Sequence, residues 1–379
     1  MNGILLINAS NLHAGGGVQV ATSFILEILR HSRRFELRYL IYVSSVVCEN
    51  LSSQGVNVAD YEQIEVLNIF GLQALSPNLQ KKFKGFDAVF TIFGPLYLPT
   101  KIDNHIVGFA QPWILQPQNE ISRTNGMIAK IKDRLKFAIQ WQFFKFSADR
   151  LVVELPHVKD RLIEFKKIPA HRVDVVSNCF SQIYLEPSKW QKLPSIIPEK
   201  NGTIRLGYLT RAYPHKNLAI LVPAVKELSN LSNQKFEFFV TLNEAEWQSC
   251  SVEFRQVVKN VGPLTVAQCP SFYTEMDGVI FTSLLECFSA TPLEAMVMRK
   301  PLFASDRGFV RDVCLDFVNY IDPIDARDIA RKIITWFIDT PAKQRESALD
   351  SAYQHVRNLP AAHDRALSYM QIIENQLKS

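Results

Sequence analysis

The six cysteines of this chain, Cys48, Cys179, Cys250, Cys269, Cys287 and Cys314, are scattered, and none belongs to a C-x-x-C pair. That spacing gives neither a zinc site nor a disulfide framework. Long apolar runs are also missing, and nothing approaches the roughly 20 residues that a membrane-spanning helix needs. The opening MNGILLINAS has a very short apolar run with no basic segment ahead of it. It reads as a first strand, not a signal peptide, and the expectation is a cytoplasmic protein with reduced thiols. Charge of one sign is scarce as well. The net value of +5 permits a weak attraction to anionic surfaces but does not mark a nucleic-acid partner.

What remains is an ordinary globular composition, 47% hydrophobic and 21% charged. A length of 379 residues favours two domains. Short runs rich in Ile, Val, Leu and Phe, at 3–9, 38–45, 64–69, 87–93, 105–110, 149–154 and 173–180, read as strands. They are nearly continuous in apolar character, as strands covered on both faces should be. Helical patterns lie between them, which is the alternation of a parallel α/β sheet. After a polar, proline-bearing stretch near 185–202 the alternation restarts at 203–210, followed by a helix over 217–230. Further strands read at 236–242, 277–283 and 301–305. The partition expected is 1–185 and 186–359, with an amphipathic helical tail.

Three stretches carry candidate chemistry. NLHAGGGVQV at 11–20 follows the first strand, where glycines admit a ligand to the backbone and helix-start amides favour anions. It is not a dinucleotide fingerprint. Val20 stands where the third glycine or alanine belongs, and the second strand ends without an acidic residue. LTRAYPHKN at 209–217 places Arg211 and Lys216 on a loop beyond a strand end, two cations suited to a diphosphate. ECFSATPLEAM at 286–296 follows another strand. Thr291, Pro292 and Glu294 fit a helix start with Thr291 as N-cap and Glu294 closing a capping box. Glu286 and the small residues before Thr291 are left over, and their amides and carboxylate suit sugar hydroxyls.

The order Arg211, Lys216, VGPL at 261–264, DGVIFTS, Glu286-x7-Glu294, RKPLFASDRGFVRDV and NYIDPID resembles the retaining glycosyltransferases of family 4, within glycosyl transferases group 1. The resemblance covers the second half and, through the glycine loop, extends more weakly to the first. It implies the GT-B fold: α/β, two facing Rossmann-like domains with a cleft that closes about the 185–202 linker. It further implies an acceptor-binding domain over 1–185, completed by a C-terminal helix at about 360–379, and a donor-binding domain over 186–359. In that likeness Glu286 holds the donor sugar, Glu294 the ribose hydroxyls, and Arg211 and Lys216 the departing diphosphate. Amides of Phe288, Ser289, Ala290 and Thr291 touch sugar and phosphate, and Leu264 lies by the base. Gly15, Gly16 and Gly17 face phosphates or acceptor.

Two departures stand out. Cys287 and Ser289 occupy positions where the family usually has glycine. Gln111, in FAQPW, stands where many members carry a histidine; it can hydrogen-bond a sugar hydroxyl but cannot exchange protons. No D-x-D occurs, so no metal and no cofactor are implied beyond the nucleotide-sugar substrate.

The stretch 126–147 has an aliphatic stripe, Ile128, Ile131, Leu135 and Ile139. Phe137, Trp141 and Phe144 lie elsewhere among Lys130, Arg134 and Lys145. A basic helix with exposed aromatics reads as a membrane-surface element; a core helix with a solvated basic face is the alternative. The first choice suits transfer to a lipid-linked saccharide in bacterial O-antigen or lipopolysaccharide assembly. Two other classes fit the site residues: a non-hydrolysing sugar-nucleotide epimerase, and a catalytically silent nucleotide-sugar-binding protein.

Overall fold

The computed structural model describes residues 3–31, 38–124, 126–194, 197 and 199–378. The chain divides into two compact units, one of Met1–Cys179 with Pro360–Ser379, the other Phe180–Leu359.

The first unit is built on a seven-stranded sheet in the order β3-β2-β1-β4-β5-β6-β7. Its strands are β1 Ile4–Ala9, β2 Arg38–Val43, β3 Ile64–Val66, β4 Ala88–Thr91, β5 His105–Gly108, β6 Arg150–Val153 and β7 Val173–Val175. Every neighbouring pair is parallel. Both faces are covered, and for that reason β4 and β5 are buried along their whole length. The expected strand at 173–180 is shorter than its apolar pattern, because after Val175 the chain spends its polar groups on side-chain bonds such as Asn178 to Glu154. His105 is a structural residue. Buried between Thr91 Oγ1 at 2.9 Å and the Ser147 carbonyl at 3.0 Å, it is pushed by desolvation to a pKa of about 4 and stays neutral.

The last helix, Ala362–Lys378, belongs to this first unit. Its Tyr369 closes a three-ring group with the fully buried Phe24 and Phe90, the centroid of Tyr369 lying 5.2 Å from that of Phe24 and 5.0 Å from that of Phe90, and those of Phe24 and Phe90 5.6 Å apart. Full burial of a ring such as Phe24 contributes about 1.5–3 kcal/mol.

The Met127–Ser147 helix corrects the expectation for its faces. Trp141 and Phe144 are 8% and 1% exposed, because both pack on Phe109 just beyond β5. The aliphatic stripe is the solvated one: Ile128, Ile131, Leu135 and Ile139 are between 45% and 73% exposed, and Met127 more so. No helix among the described residues is long and apolar enough to cross a membrane.

The second unit repeats the plan with six parallel strands in the order β10-β9-β8-β11-β12-β13. They are β8 Ile204–Tyr208, β9 Phe236–Val240, β10 Val258–Asn260, β11 Gly278–Phe281, β12 Leu302–Ser305 and β13 Asn319–Ile321. The helix expected over 217–230 runs from Leu221 to Leu231 after a short 3-10 turn. The polar stretch near 185–202 lies within this unit, where Leu193 and Ile197 pack against Phe239, Phe272 and Met276. The sheet order turns outward on either side of the β8–β11 pair. In an open α/β sheet, the crevice beyond the carboxyl ends at such a switch point is where ligands bind.

Candidate active site

Two loops leave that switch point, one after β8 and one after β11. The first reaches a 3-10 turn at Pro214–Lys216 and then Asn217, whose φ of 54° is left-handed. Asparagine tolerates that region better than most residues, and its Nδ2 donates to the Pro323 carbonyl at 2.6 Å. The second loop braces the turn. Leu284 N donates to the His215 carbonyl at 2.7 Å, while Thr282 Oγ1 donates to the Lys216 carbonyl at 3.0 Å. From below, the buried Tyr208 hydroxyl donates to the same carbonyl at 3.2 Å. The backbone of Lys216 is therefore fixed before its side chain does anything.

The side chain then meets Glu286. Lys216 Nζ lies 2.7 Å from Glu286 Oε1, and the two side chains keep only 14% and 10% of their exposure. The ammonium also lies 5.5 Å from the centre of the Phe281 ring. Beside it, burial takes His215 down to a pKa of about 4; Glu286 pulls the other way and Lys216 adds to the fall. The imidazole is neutral at pH 7, so His215 adds no charge beside the lysine.

Glu294 corrects the expected capping box. The helix is Thr291–Val297, with Ala290 at the N-cap position in helical geometry and no side-chain cap. Glu294 turns inward: its Oε2 accepts from the Tyr273 hydroxyl at 2.8 Å, and Tyr184 also hydrogen-bonds it. Two tyrosine donors in a partly desolvated place hold the carboxylate away from the Thr291 amide. Burial raises the Glu294 pKa, against the opposing pull of Tyr273, Tyr184 and the Lys216 charge. Lys216 thus pairs with one carboxylate of the Glu-x7-Glu motif and acts electrostatically on the other. Of the seven residues between them, Ser289 and Thr291 are buried and Phe288 and Ala290 partly exposed.

Arg211 is occupied differently. Its Nε lies 2.8 Å from Glu246 Oε1 and 2.9 Å from Oε2. Glu246 also accepts from Ala212 N and from Asn243 N, at 3.3 and 3.0 Å. Burial raises the Glu246 pKa, and the guanidinium and amides more than offset that, leaving it below the ordinary range. Leu264 is half-buried against the cluster of Phe239, Phe272 and Met276, just after Gly262 in a left-handed turn. Sequence reasoning missed Glu246, Tyr273 and Tyr184. The first had a legible signal, since N-E-A-E at 243–246 is a capping box.

In the first unit, Gly15 has φ 72° ahead of the Gly16–Arg30 helix and needs to be glycine. A Cβ at Gly16 would meet open space, while one at Gly17 would touch Leu12 and Phe93. Gln111 stands at the N-cap position of the short Pro112–Leu115 helix, beyond the carboxyl end of β5. One group of metal-ligand type occurs among the described residues: Glu27, His31 and His363 bring one atom each within 4.8 Å of one another. Glu27 is already held by Arg30 at 2.9 Å, and the group clasps the first helix to the last.

Two open parallel sheets, each covered by helices, are the architecture of the GT-B fold. Residues 191–355, within the second unit, match the family model described as glycosyl transferases group 1. The comparison with curated proteins finds no match. Among solved structures, a glycosyltransferase from Rickettsia africae aligns at TM-score 0.67 and 17% identity, covering 100% of this chain and 99% of that one. Anabaena HepE in complex with UDP-glucose aligns at TM-score 0.63 and 15% identity over 100% of both chains. WaaG, a glycosyltransferase involved in lipopolysaccharide biosynthesis, aligns at TM-score 0.64 and 11% identity over 98% and 99%. At these identities the likeness carries the fold.

Proposed function

We propose that this chain moves a sugar from a nucleotide-diphosphate sugar to a hydroxyl of a lipid-linked saccharide, with retention of the anomeric configuration. The observation that supports it most is the Lys216–Glu286 pair, held at the switch point of the second sheet with Glu294 alongside. On this reading Glu294 accepts from the ribose hydroxyls, Glu286 from the sugar, and Leu264 lies by the base. In the reaction the bond from the anomeric carbon to the diphosphate oxygen breaks, and a bond to the acceptor oxygen forms on the same face. The acceptor proton leaves with the diphosphate. Lys216 and Arg211 meet the charge that builds on the leaving group, so the reading needs no metal and no cofactor. Arg211 must exchange Glu246 for the phosphates. Amides of Phe288, Ser289, Ala290 and Thr291 add donors, Gly16 and Gly17 face phosphates or acceptor, and Gln111 serves the acceptor side.

A place at the inner face of the cytoplasmic membrane is supported by the exposed stripe Ile128, Ile131, Leu135 and Ile139, with Lys130, Lys132, Arg134 and Lys136 on the same helix. Each such cation contributes about 1 kcal/mol near an anionic surface, less in salt.

The test is a panel of nucleotide sugars, with and without candidate acceptors, read by mass spectrometry. Transfer that requires an acceptor supports the proposal. Conversion of a donor without acceptor would make the protein an epimerase, and binding without turnover a silent binder.

A further inference from the structure

The first unit holds a cavity of about 410 Å³ under the Met127–Ser147 helix. That is within the range of small-molecule sites. Its apolar wall is aromatic: Trp113 and Phe137 stack in parallel with interplanar angle 5° and centroids 6.0 Å apart, and Trp141 continues the wall. Its polar side carries Lys130, Arg134 and Lys166, with Asp133 the one carboxylate among the described lining residues. Lys166 Nζ lies 5.6 Å from the Trp141 ring centre, so cation and aromatic face one space. Burial, then the neighbouring Lys145, holds the Lys166 ammonium below its ordinary pKa, a cost that an anion in the cavity would offset.

Position adds two arguments. Trp113 stands two residues beyond Gln111, so this wall of the cavity lies just past the carboxyl end of β5, the end of a parallel sheet where ligands bind. Lys130 and Arg134 line the cavity from the same helix whose aliphatic stripe is exposed. A molecule leaving an apolar phase along that stripe would meet the cations within one turn of helix.

We infer that this cavity binds the phosphorylated end of an amphiphile, a diphosphate ester of a long-chain alcohol, with the first carbons of its chain on Trp113, Phe137 and Trp141 and its phosphates on Lys130, Arg134 and Lys166. This deepens the proposed function by giving the lipid-linked acceptor a place, and it rests on that reading. A free nucleotide would use the aromatic wall poorly, and a neutral lipid would make no use of the cations.

The probe is farnesyl diphosphate below its micelle-forming concentration, titrated calorimetrically into the full chain beside inorganic diphosphate and farnesol. UDP, GDP, ADP and dTDP are titrated singly into the same preparation. Farnesyl diphosphate should bind at least tenfold more tightly than either fragment. Arg134→Gln and Lys130→Gln should each weaken it about tenfold with unchanged circular dichroism, while Lys216→Ala leaves it alone. Equal binding of inorganic diphosphate or farnesol overturns the inference, as does indifference to both cavity variants or loss in Lys216→Ala. If a nucleotide binds and farnesyl diphosphate does not, the cavity assignment fails alone. If no nucleotide binds, the reading beneath it fails.

Discussion

Removing Lys216 should cost turnover and stability by amounts that can be separated. Lys216→Ala takes away the only cation paired to Glu286 in the described structure and leaves that carboxylate with about a tenth of its exposure. Breaking a fully buried pair costs about 3–5 kcal/mol, and this pair keeps some solvent, so a loss of about 2–3 kcal/mol is expected. That corresponds to a fall in melting temperature of roughly 4–12 °C for a domain of this size. Turnover should fall further. Losing one preorganised donor to a developing negative charge typically costs about 10²–10³ in kcat. The double variant Lys216→Met with Glu286→Gln removes both charges and should regain most of the stability without regaining turnover. Melting curves and steady-state rates on wild type, Lys216→Met, Glu286→Gln and the double variant complete the cycle. If Lys216→Ala kept more than a tenth of wild-type turnover with true substrates, or the double variant recovered it, the pair would be structural only.

Glu294→Gln should weaken nucleotide binding about tenfold while leaving the melting temperature at neutral pH unchanged or higher. The sign follows from the raised pKa: protonated Glu294 favours the folded state, and that contribution is lost as pH rises through the folded value, so an ionised Glu294 is a cost at pH 7. For wild type, calorimetry should show nucleotide affinity falling on acidification from above the ordinary carboxylate range, and Glu294→Gln should lose that component. Gly15→Ala, at φ 72°, should lower stability by about 1–2 kcal/mol in thermal melts. Gly16→Ala, which meets open space, should leave the melt unchanged but reduce transfer if this turn faces a substrate. Co-sedimentation with anionic vesicles should be weak and salt-sensitive, and Ile131→Glu with Leu135→Glu should abolish it. Undiminished binding by that variant would place membrane contact elsewhere.

The central strands of both sheets were legible because burial on both faces writes an unbroken apolar run into each. The edge strands β10 and β13 were not, since three residues that include Lys259 and Asn260, or Asn319 and Tyr320, carry no such run. The Met127–Ser147 helix has two apolar faces, and nothing within one helix says which of them the sheet covers. Its aromatics went inward because Phe109 waits for them at the end of β5. At the site, Lys216 and Glu286 were recognisable by type and order, though they are 70 residues apart. The capping box at Thr291 obeyed every local rule and lost to Tyr273 and Tyr184, partners that only the tertiary fold supplies. The Asn243–Glu246 box did form, yet its spare carboxylate oxygen also takes Arg211 from 35 residues away, which no local pattern announces.

A crystal structure of the chain with a bound nucleotide-diphosphate sugar tests the central claim most directly. The account predicts the ribose hydroxyls on Glu294, the sugar on Glu286, and the diphosphate within hydrogen-bond distance of Lys216 and of an Arg211 released from Glu246. An ordered donor elsewhere on the molecule, with Lys216 still paired to Glu286 and Arg211 to Glu246, would contradict it.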